Sequence, residues 1–205
     1  MAHSRASWLA TALLACLAAS AAESPFDPSS PVKATARSSE VDLQKNSGAF
    51  HGVKVTQGAY AIEADEATAA GLDTKASQWE FHGSVKITMP DGLIASDEAK
   101  VSFVSNSIVD AQITGSPAVF EQRRDKRVAR GHATHIDYDF ATSTVRLSDG
   151  ATLTDGAHEI SGRTLIYDMK AQKLRANPDD QAGNPVTLTI EPTKTDAKPE
   201  AKPKP

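Results

Sequence analysis

Two stretches of the chain decide its fold, because they repeat one another: FHGVKVTQGAYAIEADEA at residues 50–67 and FHGSVKITMPDGLIASDEA at residues 81–99. Phe-His-Gly begins at Phe50 and returns 31 residues later at Phe81, and Asp-Glu-Ala closes both stretches. Self-similarity at such a period is the signature of stacked repeat architectures. Two weaker units follow, one starting near Gly115 and one near Gly150.

The second stretch shows what each repeat contains. Its apolar residues fall on odd positions, from Trp79 through Val85 to Met89, and polar residues such as His82 and Lys86 fall between them. A period of two indicates a β-strand with one apolar and one solvated face. Shorter alternations recur up to residue 190, separated by turn sequences such as Pro-Asp-Gly and Asp-Gly. The predicted fold is therefore all-β, an elongated stack of twisted strands whose end strands are unpaired edges.

The two stretches differ by one residue, which shifts the alternation of the first. Phe50 is even-numbered, whereas Val53 and Val55 are odd-numbered. One extra or missing residue in a strand is the mark of a β-bulge. We expect that bulge at Gly52.

Both ends of the chain differ in composition from the middle. Residues 1–22 combine Arg5, an apolar run and small residues up to Ala22, which predicts a cleaved signal peptide and export to the periplasm. Residues 23–31 predict a disordered linker, and residues 191–205 a disordered tail of Pro and Lys, leaving one domain at 32–190. Cys16 is the single cysteine, and acylation of this residue at a lipobox-like sequence is the alternative.

Composition and motifs argue against several function classes. The formal net charge of -4 gives no basic excess for nucleic-acid binding. After the leader the chain has no apolar run of the roughly 18 residues that a membrane helix needs. The domain has no cysteine, no Gly-x-Ser-x-Gly elbow and no phosphate-binding glycine loop, so we predict no enzyme, no catalytic residue and no cofactor. His132 and His135 are predicted to be surface residues, and no metal site is predicted.

Residues 36–67 resemble the LptA/OstA-like periplasmic proteins of lipopolysaccharide transport. The family pattern of an Asp-containing turn, Phe-x-Gly, a strand ending in Thr-Gln-Gly and a closing Ile-x-Ala-Asp is filled by Asp42, Phe50, Gly52, Val55, Gln57, Gly58, Ile62, Ala64 and Asp65. A later segment is similar to the family through Gly131, Ala133, Tyr138, Asp139, Leu147, Gly150 and Ala151. The resemblance covers residues 32–178.

The resemblance implies a β-jellyroll whose apolar interior takes the acyl chains of lipopolysaccharide. It also implies end-to-end joining of copies into a bridge between inner-membrane and outer-membrane Lpt components, so that lipopolysaccharide moves to the outer membrane. Two alternatives stay open: a structural β-repeat scaffold of the envelope with a filled core, and an accessory paralogue of the transport system.

The lipid-carrier interpretation assigns two groups of residues. The run from residue 123 to residue 127 is either a charged hairpin loop or a set of lipid phosphate contacts at the mouth of the groove: Arg123, Arg124, Lys126 and Arg127. The groove that takes the acyl chains is predicted to be lined by Val53, Val55, Ile62, Val85, Ile87, Ile94, Phe103, Ile136, Leu147 and Leu165.

Overall fold

The computed structural model describes residues 30–72, 75–105, 107–124, 127–178 and 183–190. All regular secondary structure in this part of the chain is β-strand, which confirms the all-β prediction. The strands are β1 (Lys33–Thr35), β2 (Ser38–Asp42), β3 (Ser47–Gln57), β4 (Tyr60–Ala70), β5 (Ala76–Met89), β6 (Gly92–Val104), β7 (Ser107–Arg124), β8 (Arg127–Asp139), β9 (Thr144–Thr154), β10 (His158–Asp168), β11 (Lys173–Ala176) and β12 (Thr187–Ile190).

These strands form one antiparallel sheet. From β3 to β11 each strand pairs with its predecessor in the sequence, β1 and β2 both pair with β3, and β12 pairs with β10 beside β11. The sequence repeat corresponds to a pair of strands, with β3 and β4 matching β5 and β6. The predicted stack of repeats is therefore confirmed, and each repeat is one hairpin.

Every long strand changes direction near its middle. Between β4 and β5 the pairing shifts by one residue, from Glu63 opposite Lys86 to Glu66 opposite His82, and the extra residue lies in β5 at Gly83 and Ser84. Further shifts accompany Gly115-Ser116-Pro117 in β7 and Asp149-Gly150 in β9. Several of these residues have a positive φ, 73° at Gly83 among them. We call this row of mid-strand positions the bend line.

The bulge expected at Gly52 is wrong. Gly52 does have a φ of 59°, but the pairing of β3 with β4 is unshifted across it, with His51 opposite Glu66 and Val53 opposite Ala64. The offset between the two repeats is an insertion in β5, since β5 carries the extra residue against both of its neighbours. Alignment of two repeats alone does not distinguish an insertion in one from a deletion in the other.

Polar side chains of neighbouring strands satisfy the backbone at the bend line. Asp97 accepts a hydrogen bond from the Ser116 amide at 3.1 Å, and Asn177 accepts one from the Thr164 amide at 2.9 Å. The Asp65 carboxylate lies so close to Gly83 that a Cβ there would be 2.8 Å from Oδ2. Backbone groups that leave a strand ladder need such partners. Asp65 of the first Asp-Glu-Ala motif thus meets Gly83 of the second Phe-His-Gly motif at the bend line.

The bend line divides the sheet into two half-sheets that face each other. The Ile108 amide, at the start of β7, donates a 3.0 Å hydrogen bond to Oε1 of Gln57, at the end of β3. Four strand spacings in a flat sheet would hold β3 and β7 about 19 Å apart. The first half-sheet holds β2, β11 and residues 47–51, 66–70, 76–82, 98–104, 107–114, 135–139, 144–148 and 164–168, and the second holds β1, β12 and the remaining strand residues.

A continuous apolar core fills the space between the half-sheets. At its N-terminal end the rings of Phe50 and Trp79 stack with centroids 5.0 Å apart. They belong to β3 and β5, and the residues that face them on the intervening β4 are the small Ala67 and Ala69. Large rings and alanines therefore complement each other across three strands, which keeps this part of the core closely packed.

Replacing Gly83 with alanine tests the bend line. An L-residue at this left-handed backbone position costs about 1–2 kcal/mol, and the new Cβ must also displace the Asp65 carboxylate. Gly150→Ala is the matched control, because Gly150 has a φ of 75° and nothing within 4 Å of its added Cβ. We expect Gly83→Ala to lower the free energy of unfolding in urea more than Gly150→Ala does. Equal losses would show that the Asp65 contact contributes nothing.

Candidate functional site

The ten residues predicted to line an acyl-chain groove all lie in the interior between the half-sheets, and each is at most 3 % exposed. Six of them come from the second half-sheet, Val53 to Ile94, and four from the first, Phe103 to Leu165. The structure therefore brings them together in one apolar interior. In this structure they form part of one hydrophobic core.

The interior opens at the C-terminal end of the sheet, in a cavity of about 320 Å³. Its apolar wall comes from β8 to β12, and its polar residues lie on the strand ends and hairpins around it. Such a volume is at the lower end of the range for pockets that hold small ligands. The apolar lining consists of Ala129, Leu153, Ile160, Leu174 and Leu188, and the polar lining of Gln122, Arg124, Arg127, Asp155, His158, Tyr167 and Gln172.

Only part of the predicted basic run lines this cavity. Arg124 and Arg127 both line it, so they lie beside an apolar opening. Arg123 instead forms an ion pair with Glu121, whose pKa is lowered by hydrogen bonds from Arg123 and Arg130. Lys126 lies outside the described residues.

One of the polar residues that line the cavity is buried. Gln122 is only 2 % exposed, yet its amide oxygen accepts a 2.9 Å hydrogen bond from the Tyr167 hydroxyl and its amide nitrogen donates to Asp91 at 2.7 Å. Burial raises the pKa of Tyr167, and the negative charge of Asp91 raises it further. The Tyr167 hydroxyl therefore stays protonated at neutral pH and remains a donor.

At each end of the sheet, two short strands lie side by side along one long strand, one on each side of the bend line. β1 and β2 lie in one register along β3, and β11 and β12 lie along the two parts of β10. Apolar side chains remain exposed on these end strands, Val41 at 45 % and Leu188 at 56 %. Val41 lies opposite Gly48 and Leu188 opposite Ile160, a partly buried residue that packs against the core. Exposed apolar side chains therefore lie at both ends of the stack, and the apolar cavity lies at the C-terminal end.

Other chemistry has little support in the described part of the chain. No group of three His, Cys, Asp or Glu side chains there is arranged to hold a metal ion. No helix among those residues has the length and hydropathy of a membrane span. His132 and His135 are exposed, and His135 lies 3.1 Å from the Asp149 carboxylate.

Sequence reasoning missed most of the cavity. Alternation marked Leu188 as a strand residue, but it did not show that β12 leaves an opening beside Ile160 and Leu174. Gln122 gave no signal either, because its partners Tyr167 and Asp91 lie 45 and 31 residues away in the sequence. A polar residue at an otherwise interior position of β7 was the one available clue.

Comparison with known proteins agrees with this architecture. Residues 33–173 match the family model described as "LptA/(LptD N-terminal domain) LPS transport protein". The lipopolysaccharide export system protein LptA of Escherichia coli (strain K12) is 29 % identical over 169 residues, which are 82 % of this chain and 74 % of that protein. The Haemophilus influenzae protein of the same name is 26 % identical over 172 residues, 83 % of this chain and 82 % of that one.

A solved structure shares the fold. The crystal structure of LptH, the LptA homologous periplasmic component of the lipopolysaccharide transport device of Pseudomonas aeruginosa, superposes with a TM-score of 0.52 at 20 % identity, over 82 % of this chain and 100 % of that one. The family is described by a transport role, which is not an enzymatic one. The matched residues hold β1 to β10 and the apolar interior, and the chain therefore belongs to the LptA/LptD N-terminal domain family of lipopolysaccharide transport proteins.

Proposed function

We propose that this protein carries lipopolysaccharide through the periplasm, with the acyl chains held between its two half-sheets. The observation that carries the proposal is a continuous apolar interior between the half-sheets, with a cavity at its C-terminal end, in a member of a lipopolysaccharide transport family. Each CH₂ group kept out of water is worth about 0.8 kcal/mol. A lipid with several acyl chains therefore needs a continuous apolar shelter to cross an aqueous compartment.

The cavity at the C-terminal end is the proposed mouth of that shelter. Its apolar wall includes Leu153 and Ile160, and Arg124 and Arg127 stand at the same opening. Lipid phosphates carry negative charge that arginine binds by bidentate hydrogen bonds. The expected consequence is that Arg124→Gln/Arg127→Gln lowers the affinity for lipopolysaccharide in equilibrium binding, most strongly at low salt, because exposed charges are screened by ions. Arg123→Gln is the matched control, since Arg123 is engaged with Glu121, and an equal loss in both variants would contradict the assignment.

Photocrosslinking tests whether acyl chains occupy the interior. Ile87 is fully buried on the interior face of β5, and the adjacent Lys86 is exposed on the outer face. A diazirine analogue of leucine placed at Ile87 should capture lipopolysaccharide on irradiation, because the interior face meets the chains. The measurement is the mass of the captured lipid on the purified protein.

The same analogue at Lys86 is the control, since it has the same reactivity and lies one residue away on the opposite face. Capture at Lys86 equal to that at Ile87 would contradict the assignment of faces. No capture at either position would favour the alternative of a structural scaffold with a filled core.

We also propose that copies join end to end. The last strand pair, β11 and β12, runs antiparallel to β10, and β1 and β2 run antiparallel to β3. Pairing β11 and β12 of one copy with β2 and β1 of the next therefore continues the antiparallel alternation in both half-sheets. Unpaired edges offer backbone donors and acceptors for this pairing, and the joint makes the two apolar interiors continuous.

Two end variants test this joint. Val41→Asp places a charge at the N-terminal end and Leu188→Asp at the C-terminal end, both on apolar side chains that are exposed in the single chain. A head-to-tail joint is heterologous, so each variant alone should be monomeric at a concentration where the parent forms oligomers, as measured by light scattering. An equimolar mixture should form one-to-one dimers and nothing longer, because only one sound joint can form. Val104→Asp, which changes an exposed apolar residue away from the ends, is the control.

If Leu188→Asp alone still dimerised, contact between two N-terminal ends would replace the head-to-tail arrangement. A mixture that stayed monomeric would contradict the joint altogether.

Location and partners complete the proposal. A signal peptide over residues 1–22 would deliver the chain to the periplasm; this segment lies outside the described residues. Inner-membrane and outer-membrane Lpt components would then occupy the two ends of the bridge. The mass of the mature protein, which shows where the chain is cleaved and whether Cys16 is acylated, tests the first part.

A further inference from the structure

Three of the hairpin turns on the first half-sheet have the same form: residues 42–47, 139–144 and 168–173. Each begins at the aspartate that ends a strand, and its carboxylate accepts a hydrogen bond from the amide three residues later. The fifth residue of each turn has a positive φ, between 52° and 55°. The second residue is apolar in all three turns, as Leu43, Phe140 and Met169. The three turns therefore occupy equivalent positions in the stack.

One of these three apolar residues is not covered. Phe140 and Met169 are buried, at 1 % and 3 % exposure, whereas Leu43 is 87 % exposed. The Met169 amide donates at 3.1 Å to the carbonyl oxygen of Ser143, which belongs to the turn before it. β2 pairs only with β3, and the Leu43 amide has no hydrogen-bond acceptor among the described residues. Leu43 therefore lies at a position that an earlier turn covers further along the stack.

The register between successive strands follows one rule at this edge of the sheet. In three pairs of strands, the first residue of the earlier strand lies opposite the last residue of the later one. The pairs are Ser47 with Ala70, Ala76 with Val104, and Thr144 with Asp168. The third pair is the one that places the Met169 amide beside the carbonyl of the earlier turn.

Applied to the proposed end-to-end joint, this rule sets one register. β11 of one copy then stands before β2 of the next, so that Lys173, the first residue of β11, lies opposite Asp42, the last residue of β2. The Leu43 amide meets the carbonyl oxygen of Gln172, as the amides of the later turns meet theirs. Leu43 thereby gains the acceptor and the cover that it lacks in the single chain.

The charges of the two end strands fit this register. Glu40 of β2 comes opposite Arg175 of β11, and both side chains are exposed. Neither has an ion-pair partner among the described residues. Elsewhere on the outer face, opposite charges that face each other across two strands form ion pairs, with 2.8 Å between Lys100 and Glu80. Glu40 and Arg175 would continue this pattern at the joint.

The same charges disfavour contact between two like ends. β2 carries Glu40 and Asp42, and β11 carries Lys173 and Arg175. An antiparallel pair of two β2 strands sets acid against acid, and a pair of two β11 strands sets base against base. Like charges directly opposite each other destabilise a strand pair. The end charges therefore favour the head-to-tail joint, which can extend, over the two closed dimers.

We propose, on the basis of the proposed end-to-end joint, that the turn at residues 42–47 of one copy docks against the β10–β11 turn of another copy in this single register. Leu43 is covered at the joint, and Glu40 pairs with Arg175. Between them, the exposed Val41 lies opposite Leu174, which packs against the core. These contacts give a chain of copies its direction, because each end fits the opposite end and not its own kind.

A charge exchange tests the register. Glu40→Arg and Arg175→Glu each set like charges against each other at the joint, while two like ends then carry mixed charges and can close into a dimer. Each variant alone should therefore lose the oligomers longer than a dimer that the parent forms at low salt, where charges are least screened. The combined variant Glu40→Arg/Arg175→Glu restores opposite charges and should regain those oligomers. The measurement is the mass distribution in analytical ultracentrifugation.

Lys100→Glu is the matched control for the charge variants, because it breaks an ion pair of the same outer face away from the ends. It should leave the mass distribution as in the parent.

Leu43→Ser tests the contact of the turn. Leu43 is exposed in the single chain, so the free energy of unfolding of the monomer in urea should not change. Association should weaken by about ten-fold or more, because an apolar side chain that is covered at the joint is lost. Leu43→Met keeps an apolar side chain of similar size and should associate as the parent does.

Failure of the combined charge variant to regain long oligomers would overturn the register and leave the end-to-end joint in place. Single charge variants or a Leu43→Ser variant that associate as the parent does would overturn it in the same way. A parent protein that stays monomeric at high concentration would overturn the joint and the register together.

Discussion

The structure depends on one constraint, the need to satisfy backbone hydrogen-bonding groups where every long strand bends at the same level. A strand that bends loses part of its ladder, and an amide left without a partner inside a protein is costly. Asp97 and Asn177 supply acceptors from neighbouring strands, and glycine permits the close approach of Asp65 to Gly83. These contacts lie on different hairpins at the level of the register shifts, where the sheet folds into two facing halves.

Alternation and repetition in the sequence predicted the long strands, their faces and the stack, but not the short strands β2 and β11. Val85 and Ile87 lie inside and Lys86 lies outside, as the period of two requires. The position of the inserted residue was not predictable, because Gly52 and Gly83 both adopt the left-handed conformation and only the pairing partners show where the register shifts. Contacts between the two half-sheets were beyond reach as well, since Gln57 and Ile108 are 51 residues apart and no local pattern links them.

Three features of the molecule fit a carrier of amphiphilic cargo. The interior is apolar and continuous, the end strands expose apolar side chains and unpaired edges, and arginines stand beside the opening. A protein with a filled globular core would need neither exposed apolar side chains on its end strands nor arginines beside an opening.

Hydrogen exchange at two backbone amides tests this account most directly. The Ile108 amide of the first half-sheet donates to Gln57 of the second, and the Ser116 amide donates to Asp97 at the bend line. Loading with lipopolysaccharide should speed exchange at Ile108 and leave Ser116 protected, because acyl chains held between the half-sheets displace Gln57 from Ile108 and leave the bend line joined. Unchanged protection at Ile108 in the loaded protein, or loss of protection at Ser116, would contradict the account.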